Sequence, residues 1–237
     1  MKGIILAGGE GRRLGPATLK TPKPLISIKG KPLINYNLGL FEKHEVQDVK
    51  IIVRSSHMQP YDDWRREYQH AFPEMNIDLV AEQKAMGTFG YIFHHLRDWI
   101  GTEDVFVTNG DDIKEIDLPA MQRAHKAMSA AATLALMKME KPDNYGTVVV
   151  EGDVITDFVE KQQNLTAGFV SAGMYLIAPS ALAYATTIFS NDKRFIMFEK
   201  DLFPPLAKAG MLRAFFCKGM FYDCGTPERL ERAIREL

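Results

Sequence analysis

Short apolar runs alternate with stretches of helical spacing through the first half of the chain. Lys2–Ala7 is a continuous apolar run opened by glycine, the pattern of a strand buried on both faces. Val49–Arg54, Ile77–Val80 and Asp104–Thr108 have the same character. Between them, Pro32–Lys43, Pro60–Ala71 and Thr88–Trp99 carry apolar residues at helical spacing. Pro32 and Pro60 suit first-turn positions, where a missing N–H costs nothing. This alternation predicts βαβ units, a mostly parallel sheet and right-handed crossovers.

After about residue 130 the pattern changes. Ala131–Met137, Tyr145–Val150, Val154–Glu160 and Phe169–Ile177 read as strands, with turn signals at Pro142–Asn144 and Gly152–Asp153. Amphipathic segments follow at Pro179–Thr187 and Phe198–Ala209. Strands at Leu212–Cys217 and Met220–Asp223 then lead into a helix from Pro227 to Leu237. No repeat or linker-like tract interrupts the chain. A single domain over 1–237 is expected, with a nucleotide-binding half over 1–130 and a substrate-binding half over 131–237.

Composition narrows the function. With 29 Lys+Arg against 30 Asp+Glu, the 237-residue chain carries a net charge of −1, which disfavours a general nucleic-acid binder. Hydrophobic content of 46% and charged content of 25% suit a soluble globular protein. No apolar run approaches the roughly 20 residues of a membrane span, and Gly3–Ala7 is too short for a signal-peptide core. Cys217 and Cys224 form neither a zinc pattern nor a disulfide framework and read as reduced thiols. A cytoplasmic enzyme without membrane insertion is the expectation.

The chemistry begins after the first strand, in Leu6-Ala7-Gly8-Gly9-Glu10-Gly11-Arg12-Arg13-Leu14. Three glycines permit a tight turn and close backbone approach to a ligand, and successive N–H groups there form an anion-binding concavity. Arg12, Arg13, Lys20 and Lys23 add four cations, so the segment reads as a triphosphate site at the carboxyl edge of the sheet. It is not a P-loop, which needs GxxxxGK[ST]. Nor is it the dinucleotide fingerprint, because Leu14 stands where the third glycine belongs. Alone, such a glycine turn is as readily plain punctuation.

Read through to Thr21-Pro22-Lys23-Pro24-Leu25, the segment resembles LAGGxGxRLxPxTxxxPKPL, the signature of the sugar-1-phosphate nucleotidylyltransferases. Arg12 stands where Thr is commoner. The resemblance continues through Glu82–Thr88, Asn144–Thr147, Phe158–Lys161, Val170–Tyr175 and Asp223–Thr226, and so covers nearly the whole chain. It implies a Rossmann-like α/β fold, a mostly parallel mixed sheet flanked by helices, with a smaller β-rich sugar-binding lobe. No β-helix, such as some family members carry, is expected.

The resemblance also implies the site. Leu6, Ala7, Gly8, Gly9, Gly11, Arg12, Arg13 and Lys23 would wrap the nucleotide phosphates, with Gln83, Gly87, Thr88, Asn109 and Gly110 completing its binding. Tyr145, Gly146, Glu160, Lys161, Ser171 and Gly173 would hold the sugar phosphate, Ser171 replacing a usual Asn. Arg13, Lys23 and Lys161 would serve catalysis by charge. Asp111 and Asp223 would hold Mg²⁺, which favours a few carboxylate oxygens together with water and phosphate. Without that resemblance, Asn109-Gly110-Asp111 is ordinary turn chemistry.

The implied reaction takes a nucleoside triphosphate and a sugar-1-phosphate and releases pyrophosphate. Met86-Gly87-Thr88, Tyr145-Gly146-Thr147 and Phe198-Glu199-Lys200 are similar to segments of the short mannose- and heptose-1-phosphate guanylyltransferases, which favours GTP and a manno-type sugar for cell-surface polysaccharide. UTP, CTP or dTTP, a phospho-alcohol such as phosphocholine, a metal-dependent glycosyltransferase and a non-catalytic regulatory homologue are the rival readings. Relatives of this family often form homo-oligomers.

Overall fold

The computed structural model describes residues 1–9, 11, 14–15, 21–140, 142, 147–159 and 167–237. In chain order the strands are β1 (Lys2–Leu6), β2 (Ser27–Ile28), β3 (Lys31–Pro32), β4 (Asp48–Arg54), β5 (Asn76–Glu82), β6 (Val105–Asn109), β7 (Asp112–Lys114), β8 (Ala132–Glu140), β9 (Thr147–Glu151), β10 (Val154–Val159), β11 (Ala167–Ile177), β12 (Leu212–Cys217) and β13 (Phe221–Asp223). The helices are α1 (Leu33–Lys43), α2 (Met58–Tyr68), α3 (Gly87–Tyr91), α4 (Arg97–Ile100), α5 (Leu118–Ala127), α6 (Pro179–Ile188), α7 (Phe203–Lys208) and α8 (Pro227–Glu236). The described residues gather into two compact units. One holds Met1–Ala85, Val107–Glu115 and Gly219–Leu237, the other Met86–Phe106 and Ile116–Lys218.

In the first unit, β1 lies between β4 and β6, with β5 beyond β4. The β1–β4 and β4–β5 pairings are parallel, in register Ile5↔Ile51 and Ile51↔Leu79. Gly3, Ile4 and Ile5 of β1 and Ile51, Ile52 and Val53 of β4 are buried, which explains the unbroken apolar runs. Helix α1 buries Leu33, Ile34, Leu38, Leu40 and Phe41. At about 1.5–3 kcal/mol for each fully buried side chain, that face holds the helix far more firmly than propensity would.

A second feature of this unit was not anticipated. The two short strands β7 and β13 pair antiparallel, with Asp112 opposite Asp223 and Ile113 opposite Tyr222. Beneath them Ile28, Leu33, Ile113, Cys224 and Ala233 form an apolar cluster, joined by Tyr36, Tyr222, Leu230 and Leu237. Helix α8 is anchored there and capped by Thr226, whose hydroxyl accepts the Arg229 N–H at 3.4 Å.

In the second unit β8 pairs with β11 antiparallel and with β12 parallel; β10 joins β12 and β9, and β9 pairs back onto β11. Together these pairings close five strands on themselves. The mixed α/β architecture therefore agrees with expectation, most of the antiparallel pairing lying in this unit and the rest in the short β2–β3 and β7–β13 pairs of the first. Helix α5 is an addition, since no helix was expected between residues 113 and 130. Its signals are ordinary: Asp117 caps it by accepting the Ala120 N–H at 2.9 Å, and Pro119 sits in its first turn.

Two expected helices are interrupted. Thr88–Trp99 resolves into α3, a π-turn at Ile92–Leu96 and α4, while Phe198–Ala209 opens with a π-turn at Phe198–Leu202 before α7. In the second case Pro204 and Pro205 lack the N–H groups that would close regular helical bonds onto Lys200 and Asp201.

Candidate functional site

The site builds up from the end of β1. Leu6 O accepts the Gly110 N–H at 3.0 Å, and Ala7 N–H donates to Ile52 O at 2.9 Å, so the strand end is held from both flanks. Gly110 suits this close approach: a Cβ there would lie 3.0 Å from Ile5 Cγ2 and 3.1 Å from Leu6 O, tight enough that a neighbour would have to shift. From below, the buried Tyr61 hydroxyl of α2 donates to Ala7 O at 3.3 Å. Gly8 sits beside the Glu82 carboxylate, and Gly9 is exposed. The loop thus starts from a fixed strand end.

Lys23, in a short turn over Lys23–Leu25, is 5% exposed yet reaches Asp111, its Nζ 2.6 Å from Oδ2. The next residue, Asp112, is buried and forms an ion pair with Lys114 at 2.5 Å. Lys114 also donates to Thr108 Oγ1 at 2.7 Å, and Asn37 donates to the Asp112 carbonyl at 3.0 Å. Burial pushes the Asp112 carboxyl up to about 7 against the pull of Lys114. Across the ribbon, Asp223 accepts the Gly225 N–H at 2.6 Å and pairs with Arg229. Cys224 lies buried in the same cluster, its thiol pushed up to about 12 by burial, so it is chemically quiet.

The fold therefore pairs Lys23 with Asp111 and, through the ribbon, sets the next residue, Asp112, opposite Asp223, positions far apart in sequence. Asp111 keeps 40% of its side chain exposed. Each carboxylate has lone pairs beyond those its partners occupy. Among the described residues no group of three or more His, Cys, Asp or Glu side chains converges as a metal cage. Two carboxylates with cations alongside fit an ion held jointly with phosphate and water, the Mg²⁺ style of binding, better than a site closed by protein alone.

The remaining expected residues fall into three groups. Gln83 is exposed at the end of the first unit, and Asn109 ends β6. Gly87, Thr88, Ser171 and Gly173 belong to the second unit. Gly87 adopts φ +78°, and a Cβ there would come within 2.3 Å of Ile196 O. The Thr88 hydroxyl accepts the Phe198 N–H at 2.8 Å and donates to Glu199 Oε2 at 3.0 Å. Ser171 Oγ accepts the Gly173 N–H at 3.1 Å, an internal turn contact. Arg12, Arg13, Lys20, Tyr145, Gly146, Glu160 and Lys161 lie outside the described residues.

Three participants were missed from sequence. Lys114 stands two residues after Asp112, and the period of two in a strand would have placed both on one face. Arg229 sits inside the helix start that follows Asp223, and nothing in the sequence marked it as that residue's partner. Tyr61 was read only as part of an amphipathic helix.

The nucleotidyl transferase family model matches residues 2–237. A mannose-1-phosphate guanylyltransferase catalytic subunit beta from Danio rerio is 33% identical over 96% of this chain and 62% of its own length. The chain thus spans 62% of that relative. In fold, a Bacillus anthracis structure described as a candidate glucose-1-phosphate thymidylyltransferase in complex with sucrose superposes with TM-score 0.86 at 24% identity, covering 100% of this chain and 94% of that one. HddC from Yersinia pseudotuberculosis complexed with GMP-PN gives TM-score 0.81 at 24% identity, covering 99% and 98%. With its strand-end glycine turn, its paired Lys23 and Asp111 and a match running from residue 2 to residue 237, this chain belongs to the nucleotidyl transferase family.

Proposed function

We propose that the chain transfers a guanylyl group from GTP to a manno-type hexose- or heptose-1-phosphate, giving the nucleotide sugar and pyrophosphate. The observation that carries the reaction class is the gathering of Lys23, Asp111 and the Asp112–Asp223 ribbon beside the glycine turn at the end of β1. The choice of GTP and a manno-type sugar is supported by the guanylyltransferase relatives and by Met86-Gly87-Thr88.

The nucleophile, a phosphate oxygen of the sugar-1-phosphate, is already anionic, so the chain need not supply a general base. It must instead align two polyanions and offset their charge. Lys23, nearly buried, offers an ammonium to the triphosphate. The glycine turn offers backbone N–H groups, with Arg12 and Arg13 in the same segment. Asp111 and Asp223 would hold Mg²⁺, which when bound screens phosphate charge and favours in-line displacement. Glu160 would take sugar hydroxyls and Lys161 the sugar phosphate, with Tyr145 and Gly146 supplying a second sugar-phosphate segment. The protein is read as cytoplasmic; no helix among the described residues is long and apolar enough to cross a membrane.

The test is pyrophosphate release with Mg²⁺, four NTPs crossed with a panel of sugar-1-phosphates and phospho-alcohols. Release from GTP with a manno-type phosphate supports the proposal, and release from another pair keeps the chemistry and discards the substrate. Folded Asp111→Asn and Asp223→Asn variants that retain turnover would overturn the metal assignment.

A further inference from the structure

In the second unit three backbone irregularities converge on one carboxylate. The β8–β11 register slips between Ser171 and Tyr175, so that Tyr175 follows a bulge containing Gly173 at φ +65°. The π-turn at Phe198–Leu202 places Glu199 as its second residue. Gly87 adopts its left-handed φ directly against Ile196. Bulges and π-turns concentrate at functional sites because they re-aim side chains that regular elements would misdirect.

Here they aim two hydroxyls at Glu199. Tyr175 donates to Oε1 at 3.3 Å and Thr88 to Oε2 at 3.0 Å. The segment bearing Glu199 is clamped to that bearing Thr88. Ile196 N–H donates to Met86 O at 2.9 Å, while Ile196 O accepts the N–H groups of Phe89 at 2.9 Å and Gly90 at 3.1 Å. Downstream, Asp201 accepts the Met197 N–H at 2.7 Å and pairs with Lys193 at 2.7 Å. Neither hydroxyl nor carboxylate therefore drifts independently.

The consequence is a hydroxyl of fixed polarity. A threonine hydroxyl has one proton and two lone pairs. Thr88 commits its proton to Glu199 and one lone pair to the Phe198 N–H, leaving a single lone pair. We infer that Glu199 is a positioning residue for nucleotide selection: by taking the Thr88 proton it makes Thr88 a pure acceptor, which selects an N–H donor on the base edge. This deepens the proposed function and rests on its placement of Thr88 at the nucleotide.

The isosteric Glu199→Gln tests it. The amide keeps an oxygen for Tyr175 but can turn its NH₂ towards Thr88, which then offers its own proton outward. Expected is a rise of about tenfold in KM for GTP, the scale of one hydrogen bond, with kcat and the KM for sugar phosphate within about twofold. Thr88→Val should match it, and the double variant should be no worse than either single one, because both remove the same acceptor. The preference among GTP, ITP and the pyrimidine nucleotides should narrow in parallel.

Equal losses in kcat and both KM values, or a rise confined to the sugar-phosphate KM, would overturn the inference. So would an unchanged GTP KM in a variant folded by circular dichroism. If Glu199→Gln unfolds, the Thr88→Val and Thr88→Ser pair decides: Ser should retain the GTP KM and Val should not. Wild-type protein silent with every NTP overturns the proposed function itself and takes this inference with it, whereas an active wild type with insensitive variants removes the inference alone.

Discussion

Lys114→Met is the most informative single perturbation. The Lys114 side chain is 1% exposed and that of Asp112 7%, so removing the cation leaves a carboxylate with almost no access to water. Breaking one side of such a pair costs about 3–5 kcal/mol, and loss of the 2.7 Å bond to Thr108 adds about 1 kcal/mol. For a chain of 237 residues each kcal/mol lowers Tm by about 2–4 °C, so a fall of roughly 8–24 °C is expected. Thermal melts followed by circular dichroism and by the fluorescence of Trp64 and Trp99 measure it, and the two tryptophans report one from each unit.

A companion variant isolates the cause. Asp112→Asn combined with Lys114→Met removes both charges and should recover most of the loss, since most of the cost of the single variant is the unpaired buried charge. A single variant within about 1 kcal/mol of wild type would refute the reasoning, as would a double variant less stable than the single one. Because Asp112 faces Asp223 across the ribbon, turnover should fall with stability in the single variant and return in the double.

Three further expectations can be checked with standard measurements. Gly87→Ala places a Cβ 2.3 Å from Ile196 O at φ +78° and should cost about 3 kcal/mol, read as a denaturant midpoint shift, with a raised KM for nucleotide. Tyr61→Phe removes the donor to Ala7 O and should cost about 1 kcal/mol while weakening equilibrium binding of a non-hydrolysable nucleotide; unchanged binding would detach Tyr61 from the loop. Burial holds the pKa of His125 below its usual range, against the opposing charge of Asp104. The unfolded chain therefore binds the proton first, and stability should be complete above about pH 6.5 and decline as pH falls towards the lowered folded value. The slope should appear as the pH-dependent difference between wild type and His125→Asn in urea melts at pH 7.5 and 5.5, a difference from which the oppositely signed contribution of the raised Asp112 carboxyl cancels.

What the sequence disclosed, and what it withheld, follows the range of the interactions. The apolar run of β1 is a local signal and is found where expected. Helix α8, with Thr226 and Pro227 at its start, is equally local. Of the Asp112–Asp223 ribbon, β13 was expected but β7 and the pairing were not legible, because a three-residue strand carries almost no periodicity and its partner lies over a hundred residues away. Helix α5 carried ordinary local signals, the Asp117 cap and Pro119 in its first turn, and was overlooked all the same. Glu199 was noticed for its neighbours, but its partners Thr88 and Tyr175 come from other elements, which no spacing rule could supply.

The ring of pairings in the second unit bears on how the protein behaves at high concentration. Once β9 has returned to β11, those five strands have no terminal member whose backbone could be extended by another chain. In the first unit β5 ends the strand order, and its outer margin carries the opportunity for strand addition. Charged Asp78 on β5, engaged by Lys50 of the neighbouring strand, makes that margin a poor template. A chain built this way should stay dispersed when crowded, and any runaway stacking should begin with the loosening of β5.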